Sequence, residues 1–177
     1  MSTKKPYKVT HAEEDNDNIR YKKNLELIKQ KAPDVAKQLG DTVITGINLL
    51  PTPSGRTSGV IWDVKSQSWI QLHSLEDPIA EAKKDIDAIY TPNQKIFTLI
   101  GAGLGYLAVD LARRLRPHQR MCLLEKSAQL FKAAMYCCDL SDILGDRRVD
   151  TFVGDGCLQN VEQYYLGFNT HEKFYIA

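Results

Sequence analysis

The stretch 95–107 reads Lys-Ile-Phe-Thr-Leu-Ile-Gly-Ala-Gly-Leu-Gly-Tyr-Leu and contains the strongest local signal in the chain. Its apolar run Ile96–Ile100 is typical of a buried strand and stops abruptly at glycines 101, 103 and 105. A helical pattern follows at once, with leucines at positions 107, 111 and 115 on one face. Strand, glycine turn and helix in this order begin a nucleotide-binding α/β unit.

The glycine turn, Gly101-Ala-Gly103-Leu-Gly105, has two interpretations. Glycine permits positive φ angles and lets a ligand approach the backbone closely, and the helix beyond it presents unpaired N–H groups. The same turn also occurs where a helix packs tightly on its sheet, so ligand binding and packing both stay open. The G-x-G-x-G spacing differs from G-x-G-x-x-G, which argues against a nicotinamide or flavin site.

Two acidic residues follow predicted strands in the same unit. Glu125 ends the strand Arg120–Glu125, about twenty residues after the last glycine, where doubly wound folds place a carboxylate on ribose hydroxyls. Asp155 follows the strand Val149–Val153, between two glycines, on the expected ligand side of the sheet. The alternatives are a solvated strand end for Glu125 and a turn aspartate that bonds its own backbone for Asp155.

These residues form the candidate nucleotide-binding set: Gly101, Gly103, Gly105, Glu125 and Asp155. The pattern predicts neither a catalytic residue nor a metal site, because no triad, metal-ligand spacing or paired carboxylate stands out. The predicted fold is α/β, a Rossmann-like and partly parallel sheet with a glycine-rich first turn, preceded by a small α+β region.

Three regions are expected along the chain. Residues 1–18 are polar and predict a disordered tail. Residues 19–90 predict an α+β subdomain that contains helices from Ile19 to Lys31 and from Pro33 to Gly40, an antiparallel meander, and a helix capped by Asp77. Residues 91–177 predict the Rossmann-like unit, which is cut at its fourth strand, 173–177. We therefore expect a fragment of a longer polypeptide, with an open sheet edge that allows a homo-oligomer.

Three side chains in the meander have two interpretations each. Trp62 and Trp69 are expected to pack within it, and stacking on a sugar is the alternative. His73, at a strand end, is expected to be a packed or capping histidine rather than a catalytic one. A helix over residues 158–166 is also predicted after the third strand.

Composition excludes several classes of protein. The formal net charge is +1 and 43% of residues are hydrophobic, so no electrostatic footprint for nucleic acid or an anionic membrane is expected. No apolar run approaches the ~20 residues that span a bilayer, and the N-terminus lacks a signal-peptide pattern. The four cysteines show no C-x-x-C spacing and predict reduced, buried thiols in a cytoplasmic protein.

The glycine turn, Glu125 and Gly154-Asp155 together resemble the S-adenosylmethionine-dependent methyltransferases. The resemblance implies that the glycine turn approaches the methionine part, that Glu125 holds ribose and that Asp155 contacts adenine. Leu99 departs from the pattern, because that family usually has an acidic residue two positions before the first glycine. The departure leaves the resemblance to the fold intact and puts the cofactor in doubt.

A longer match, from about Tyr21 onward, resembles the N-terminal region of the motility accessory factor (Maf) family of flagellin glycosyltransferases. Its motifs are Asn24-Leu-Glu-Leu-Ile with Pro33, His73-Ser74, Asp77-Pro78, Glu81-Ala82, the run 99–106, Leu124-Glu-Lys126, Asp139-Leu-Ser-Asp142 with Leu144, and Val153-Gly154. This resemblance implies transfer of a CMP-activated nonulosonic acid to flagellin Ser or Thr by a catalytic domain downstream. The implied partners are that domain and flagellin. S-adenosylmethionine, a CMP-sugar and no cofactor at all stay open for this region.

Overall fold

A computed structural model describes residues 11–157, 159 and 175–176. Its elements, in chain order, are α1 (His11–Lys31), α2 (Pro33–Asp41), β1 (Ile47–Pro51), β2 (Thr57–Asp63), β3 (Ser68–Gln71), α3 (Pro78–Ile89), β4 (Ile96–Ile100), α4 (Tyr106–Arg114), β5 (Arg120–Glu125), α5 (Ala128–Cys137), α6 (Ser141–Leu144), β6 (Val149–Val153) and β7 (Tyr175–Ile176). Apart from Gln159, the helix predicted over 158–166 lies outside the described residues, as do the first ten residues of the predicted tail.

A parallel sheet with the strand order β6-β5-β4-β7 forms the centre of the molecule. The first strand of the unit, β4, lies inside the sheet, with β5 and β6 on one side of it and β7 on the other. Strand order therefore reverses at β4, as in doubly wound α/β folds. The strands β4 and β5 are almost wholly buried, which explains their continuous apolar sequences. The predicted α/β fold with a parallel sheet is confirmed.

A second sheet contains the antiparallel meander β1-β2-β3. Its first strand begins at Ile47 rather than at Val43, because Gly46 has a φ of +69° and breaks the extended backbone just before it. Ile47 and Leu49 of β1 pack against a buried cluster that contains Leu104 and Leu130. One face of the meander therefore lies on the α/β unit.

The main hydrophobic core combines side chains from both sides of residue 91. Ile28, Leu39 and Ile86 of the first three helices join Phe97 and Leu123 of the parallel sheet in one cluster. Each of these five side chains is at most 4% exposed. Helices that precede the α/β unit in sequence thus cover its sheet.

Helix starts follow local chemistry in α3 and α5. Asp77 accepts hydrogen bonds from the backbone N–H groups of Ile79 and Ala80 at 3.0 and 3.1 Å, as its predicted capping role requires. Ser127 accepts one from Leu130 at 3.1 Å at the start of α5. In the described part of the chain, no helix is both long enough and apolar enough to span a membrane.

Helix α1 begins at His11, eight residues before the predicted start at Ile19, so the segment 11–18 is helical rather than part of a mobile tail. A tertiary contact holds the middle of this helix. Arg20 pairs with Asp17 at 2.8 Å and also donates to the backbone carbonyl of Tyr136 in α5. This contact joins the first half of the helix to a residue more than a hundred positions away.

Candidate functional site

The glycine turn connects β4 to α4 at the strand where the sheet order reverses. The φ angles of Gly101, Gly103 and Gly105 are +94°, +53° and +93°. The N–H of Gly101 donates to the carbonyl of Leu124 in β5 at 2.8 Å, so the turn starts within the sheet ladder. In doubly wound folds, ligands bind in the crevice at this location.

His73 fills the space directly above the turn. Its Nε2 atom accepts a hydrogen bond from the backbone N–H of Leu104 at 2.8 Å. A Cβ atom built on Gly103 would lie 2.5 Å from that nitrogen, too close for any side chain. The glycine at position 103 therefore allows a close approach, and a side chain of the protein itself makes it. His73 is a packed histidine, as predicted from its place at a strand end.

The hydrogen bond from Leu104 determines which ring nitrogen of His73 carries the proton. Since Leu104 donates to Nε2, that nitrogen carries no proton, and the ring's proton lies on Nδ1. Nδ1 is 3.5 Å from Glu81 Oε2, an oxygen that also accepts from the Ser74 N–H at 2.8 Å. Burial lowers the pKa of His73, and the nearby carboxylates of Glu81 and Asp85 oppose that shift.

Tyr106, the first residue of α4, forms the other wall around the imidazole. The two rings are 5.4 Å apart and nearly perpendicular. The Tyr106 hydroxyl donates to the Thr57 carbonyl at 2.8 Å, which links α4 to β2. Burial raises the pKa of Tyr106, so the phenol stays neutral. The histidine thus lies between the glycine turn and an aromatic ring.

Glu125 lies beneath the glycine turn and is 5% exposed. Its Oε2 accepts from the N–H of Ala102 and its Oε1 from the N–H of Ser127, both at 2.8 Å. The carboxylate therefore joins the turn to the start of α5. Each oxygen retains a second lone pair, so a ribose contact stays a prediction.

Asp155 is placed differently. It is exposed in the turn after β6, and within the described ranges it makes no hydrogen bond or ion pair with the glycines or with Glu125. Its neighbour Gly154 has a φ of +97°, and a Cβ built there would lie 2.9 Å from Gln38 Nε2. Like His73 over Gly103, Gln38 covers a glycine at the carboxyl edge of the sheet. The structure joins the glycine turn to Glu125 through the Ala102 N–H, and Gly154, the neighbour of Asp155, donates to the Glu125 carbonyl at 2.9 Å. A role for Asp155 in ligand binding stays a prediction.

A cavity of about 690 Å³ adjoins the turn, within the size range of small-molecule sites. Its charged lining consists of the acidic residues Glu81, Asp85 and Glu125, and its apolar lining includes Leu107 and Leu130. No lysine or arginine lines it in the part of the chain that the structure describes. The three carboxylates disfavour a phosphate and suit a neutral or positively charged ligand. The described residues also contain no cluster of metal-ligating side chains.

The cysteines take no part in this site. All four are present as thiols. Burial raises the pKa of Cys122 and of Cys137 to about 12 and that of Cys138 to about 11. Protonated thiols of this kind are poor nucleophiles and poor metal ligands, so they act as small apolar side chains.

Sequence patterns do not identify two side chains that shape the site. In the sequence, Glu81 is only an acidic residue in the first turn of a predicted helix, although in the structure it faces His73. Gln38, which covers Gly154, belongs to a helix more than a hundred residues away in sequence. No local pattern connects Gln38 to Gly154, because that contact results from the packing of the first 90 residues over the carboxyl edge of the sheet. Glu81 and His73 are only eight residues apart, but their contact depends on how the chain turns between β3 and α3.

Together these features define a Rossmann-like α/β domain whose glycine turn is covered by its own side chains. No protein-family model and no curated protein matches the chain. Among solved structures it is similar to a Maf glycosyltransferase from Magnetospirillum magneticum AMB-1, with a TM-score of 0.55 and 13% identity. That match covers 91% of this chain and 32% of the other, so the chain spans about a third of that protein's length. The predicted resemblance is thus confirmed at the level of the fold.

A weaker similarity is to the O-methyltransferase TomG from Streptomyces achromogenes, whose structure contains S-adenosylmethionine. Its TM-score is 0.32 and its identity 18%, over 55% of this chain and 50% of that one.

Proposed function

We propose that this chain is the N-terminal accessory domain of a Maf-like, motility-associated glycosyltransferase. The observation that carries the proposal is His73 over Gly103, because the ring covers a glycine of the turn at which a Rossmann-like domain would accept its nucleotide. The fold similarity over most of the chain supports the proposal. Catalysis, the transfer of a CMP-activated nonulosonic acid to flagellin Ser or Thr, belongs to a domain downstream.

The charge of the cavity beside the turn supports a separate donor site. A CMP-sugar carries a phosphate, and the cavity presents the carboxylates of Glu81, Asp85 and Glu125. Like charges in a partly enclosed site repel. We therefore assign donor recognition to the downstream domain, and the positioning of that domain or of flagellin to this one.

Flagellin transfer assays test this proposal. Flagellin and the CMP-activated sugar are incubated with the isolated chain, with the parent polypeptide, or with the parent lacking residues 1–177, and intact mass spectrometry measures the glycosylated fraction. We expect transfer by the parent, none by the isolated chain, and at least a ten-fold loss in the truncated parent. Transfer by the isolated chain, or full activity without it, would contradict the proposal.

The acidic cavity also favours a second candidate, an S-adenosylmethionine-binding domain. That cofactor carries a positive sulfonium and an ammonium group, which the carboxylates of Glu81 and Asp85 would attract. Calorimetry with S-adenosylmethionine and with S-adenosylhomocysteine, whose sulfur is uncharged, separates the two proposals. Binding that is stronger for the charged form and weakened by Glu125→Gln would support this candidate.

A further inference from the structure

The face of the meander that points away from the core has an unusual composition. Trp62 of β2 lies opposite Trp69 of β3, and one row further along, Asn48, Val60 and Gln71 lie opposite one another on the three strands. Because side chains alternate between faces along a strand, these five share one face. The other face carries Ile47 and Leu49, which pack on the α/β unit.

Both tryptophans are open to solvent. Trp62 is 41% and Trp69 47% exposed. Their ring centroids are 5.4 Å apart and their planes meet at 67°, so the two indoles form an angled pair rather than a flat stack. Exposed aromatic side chains at this density mark binding surfaces more often than isolated apolar residues do.

The polar neighbours of the pair are amides. The side chains of Asn48 and Gln71 are exposed and, among the described residues, neither makes a hydrogen bond. Each amide offers a donor and an acceptor. Asp63, the nearest carboxylate in the same strand, points to the opposite face and accepts from the Ser66 N–H at 2.8 Å. The face formed by Trp62, Trp69, Asn48 and Gln71, here called the tryptophan face, is therefore aromatic and uncharged.

We propose that the tryptophan face binds a pyranose sugar. A pyranose ring has an apolar C–H surface that packs on an indole, and hydroxyl groups at its edge that bond to amides. The angled pair gives the ring one indole to stack on and a second to contact its edge. Gln71, at the end of β3, also lines the cavity beside the glycine turn, whereas neither tryptophan does. The inference does not depend on the proposed function.

A second copy of the chain fits this face less well. The two indoles expose on the order of 200 Å² together, whereas a stable interface buries about 800 Å² per partner. The neighbouring edge strand β3 has only four residues. A small ligand matches the size of the face better than a protein surface does.

Tryptophan fluorescence tests the proposal directly, because the chain contains two tryptophans and both lie on this face. The protein is titrated with glucose, galactose, N-acetylglucosamine and N-acetylneuraminic acid, with the open-chain polyol sorbitol as the solvent control. We expect a saturable spectral change with at least one pyranose and none with sorbitol. Absence of saturation with all four sugars would overturn the proposal.

Matched variants on β3 separate binding from folding. Trp69→Ala should weaken binding at least ten-fold, with Trp62 still reporting, and Gln71→Ala should weaken it several-fold. Ile70→Ala is the control, because Ile70 is equally exposed at 47% but belongs to the opposite face. Equal losses in Ile70→Ala and Trp69→Ala would contradict the assigned face. A spectral change that follows protein concentration, with a doubled mass by light scattering, would identify a dimer contact and also overturn the proposal.

Discussion

A neutral imidazole holds the glycine turn, because the Leu104 N–H donates to His73 Nε2 only while that nitrogen carries no proton. The glycine and the histidine depend on each other. Gly103 leaves the space that the ring occupies, and the ring satisfies a backbone donor that would otherwise be buried without a partner. The close approach that Gly103 permits is thus made by a side chain of the protein itself.

Stability should therefore depend on pH below neutrality. The pKa of His73 is lowered in the native state, so the unfolded chain takes up a proton near pH 6.5 that the native chain does not. The free energy of unfolding should be at its full value above about pH 6.5. At lower pH the free energy of unfolding should decrease by at most about 1.4 kcal/mol per pH unit, until the pH falls below the pKa of His73 in the native state.

Urea unfolding at pH 7.5, 6.5 and 5.5 measures this dependence. His73→Gln should remove most of the slope, since glutamine does not titrate. His118→Gln, at an exposed position, should leave it unchanged. Carboxylates with lowered pKa values change the free energy of unfolding only in a lower pH range; the pKa of Asp139, for example, is about 2. A slope that persists in His73→Gln would contradict the assigned role of the imidazole.

Gly103→Ala should destabilise the fold by more than backbone strain alone. The new Cβ would meet the His73 ring at 2.5 Å, in addition to the cost of a positive φ. Gly55→Ala is the matched control, because Gly55 has a φ of +73° and a Cβ built there would meet nothing within 4 Å. We expect Gly103→Ala to lower the free energy of unfolding by at least about 1 kcal/mol more than Gly55→Ala.

A double-mutant cycle identifies the source of that cost. Combining Gly103→Ala with His73→Ala should be less destabilising than the sum of the two single changes, since the second change removes the clash that the first creates. Strict additivity would mean that the ring and the glycine do not compete for the same space.

The sequence predicted the position of Glu125 but not its bonding. Spacing from the glycines placed it at the end of a strand beside the turn, because a βαβ unit has a characteristic length. Its two hydrogen bonds, to Ala102 and Ser127, depend on side-chain direction and burial, which spacing does not carry. For the same reason, the contact between His73 and Leu104 could not be derived from two segments 31 residues apart.

At the scale of the element, one buried amide attaches helix α1 to the α/β unit. Asn24 is 0% exposed and donates to the carbonyls of Met135 and Cys138, each at 2.9 Å. Its side-chain oxygen accepts from the Leu140 N–H at 3.0 Å. The amide thus satisfies three backbone groups at the end of α5, where helical carbonyls lack partners.

Asn24→Ala should cost about 3 kcal/mol of unfolding free energy, because it leaves these three buried backbone groups without partners. Asn18→Ala, on the same helix at an exposed position, is the control and should change stability by less than about 0.5 kcal/mol. Chemical denaturation of both variants measures the difference. Equal losses of unfolding free energy in the two variants would show that Asn24 contributes no more to stability than an exposed asparagine does.

Elements defined by local pattern were predicted best. The strands β4, β5 and β6 have the predicted bounds, because each is an apolar run between turn residues. The start of α3 was predictable from Asp77-Pro78 for the same reason. The start of α1 was not, because the residues from His11 to Asn18 are polar and carry no apolar pattern.

At the scale of the whole molecule, residues that precede the α/β unit cover the carboxyl edge of its parallel sheet. His73 lies over Gly103 and Gln38 over Gly154, at the two places where glycines open that edge. Hydrophobic pattern predicted the parallel sheet and the meander separately. How the two meet depends on buried contacts between distant segments, such as Leu39 with the core of the sheet.

Because His73 covers the glycine turn, we expect the turn to take no nucleotide. Calorimetric titration of the whole chain with S-adenosylmethionine, CMP and a CMP-linked nonulosonic acid measures this, with thermal unfolding in parallel. We predict no heat of binding and no stabilisation by any of the three. Stabilisation of about 2.7 kcal/mol at a hundred-fold excess over the dissociation constant would contradict this expectation if His73→Ala or Glu125→Gln altered it.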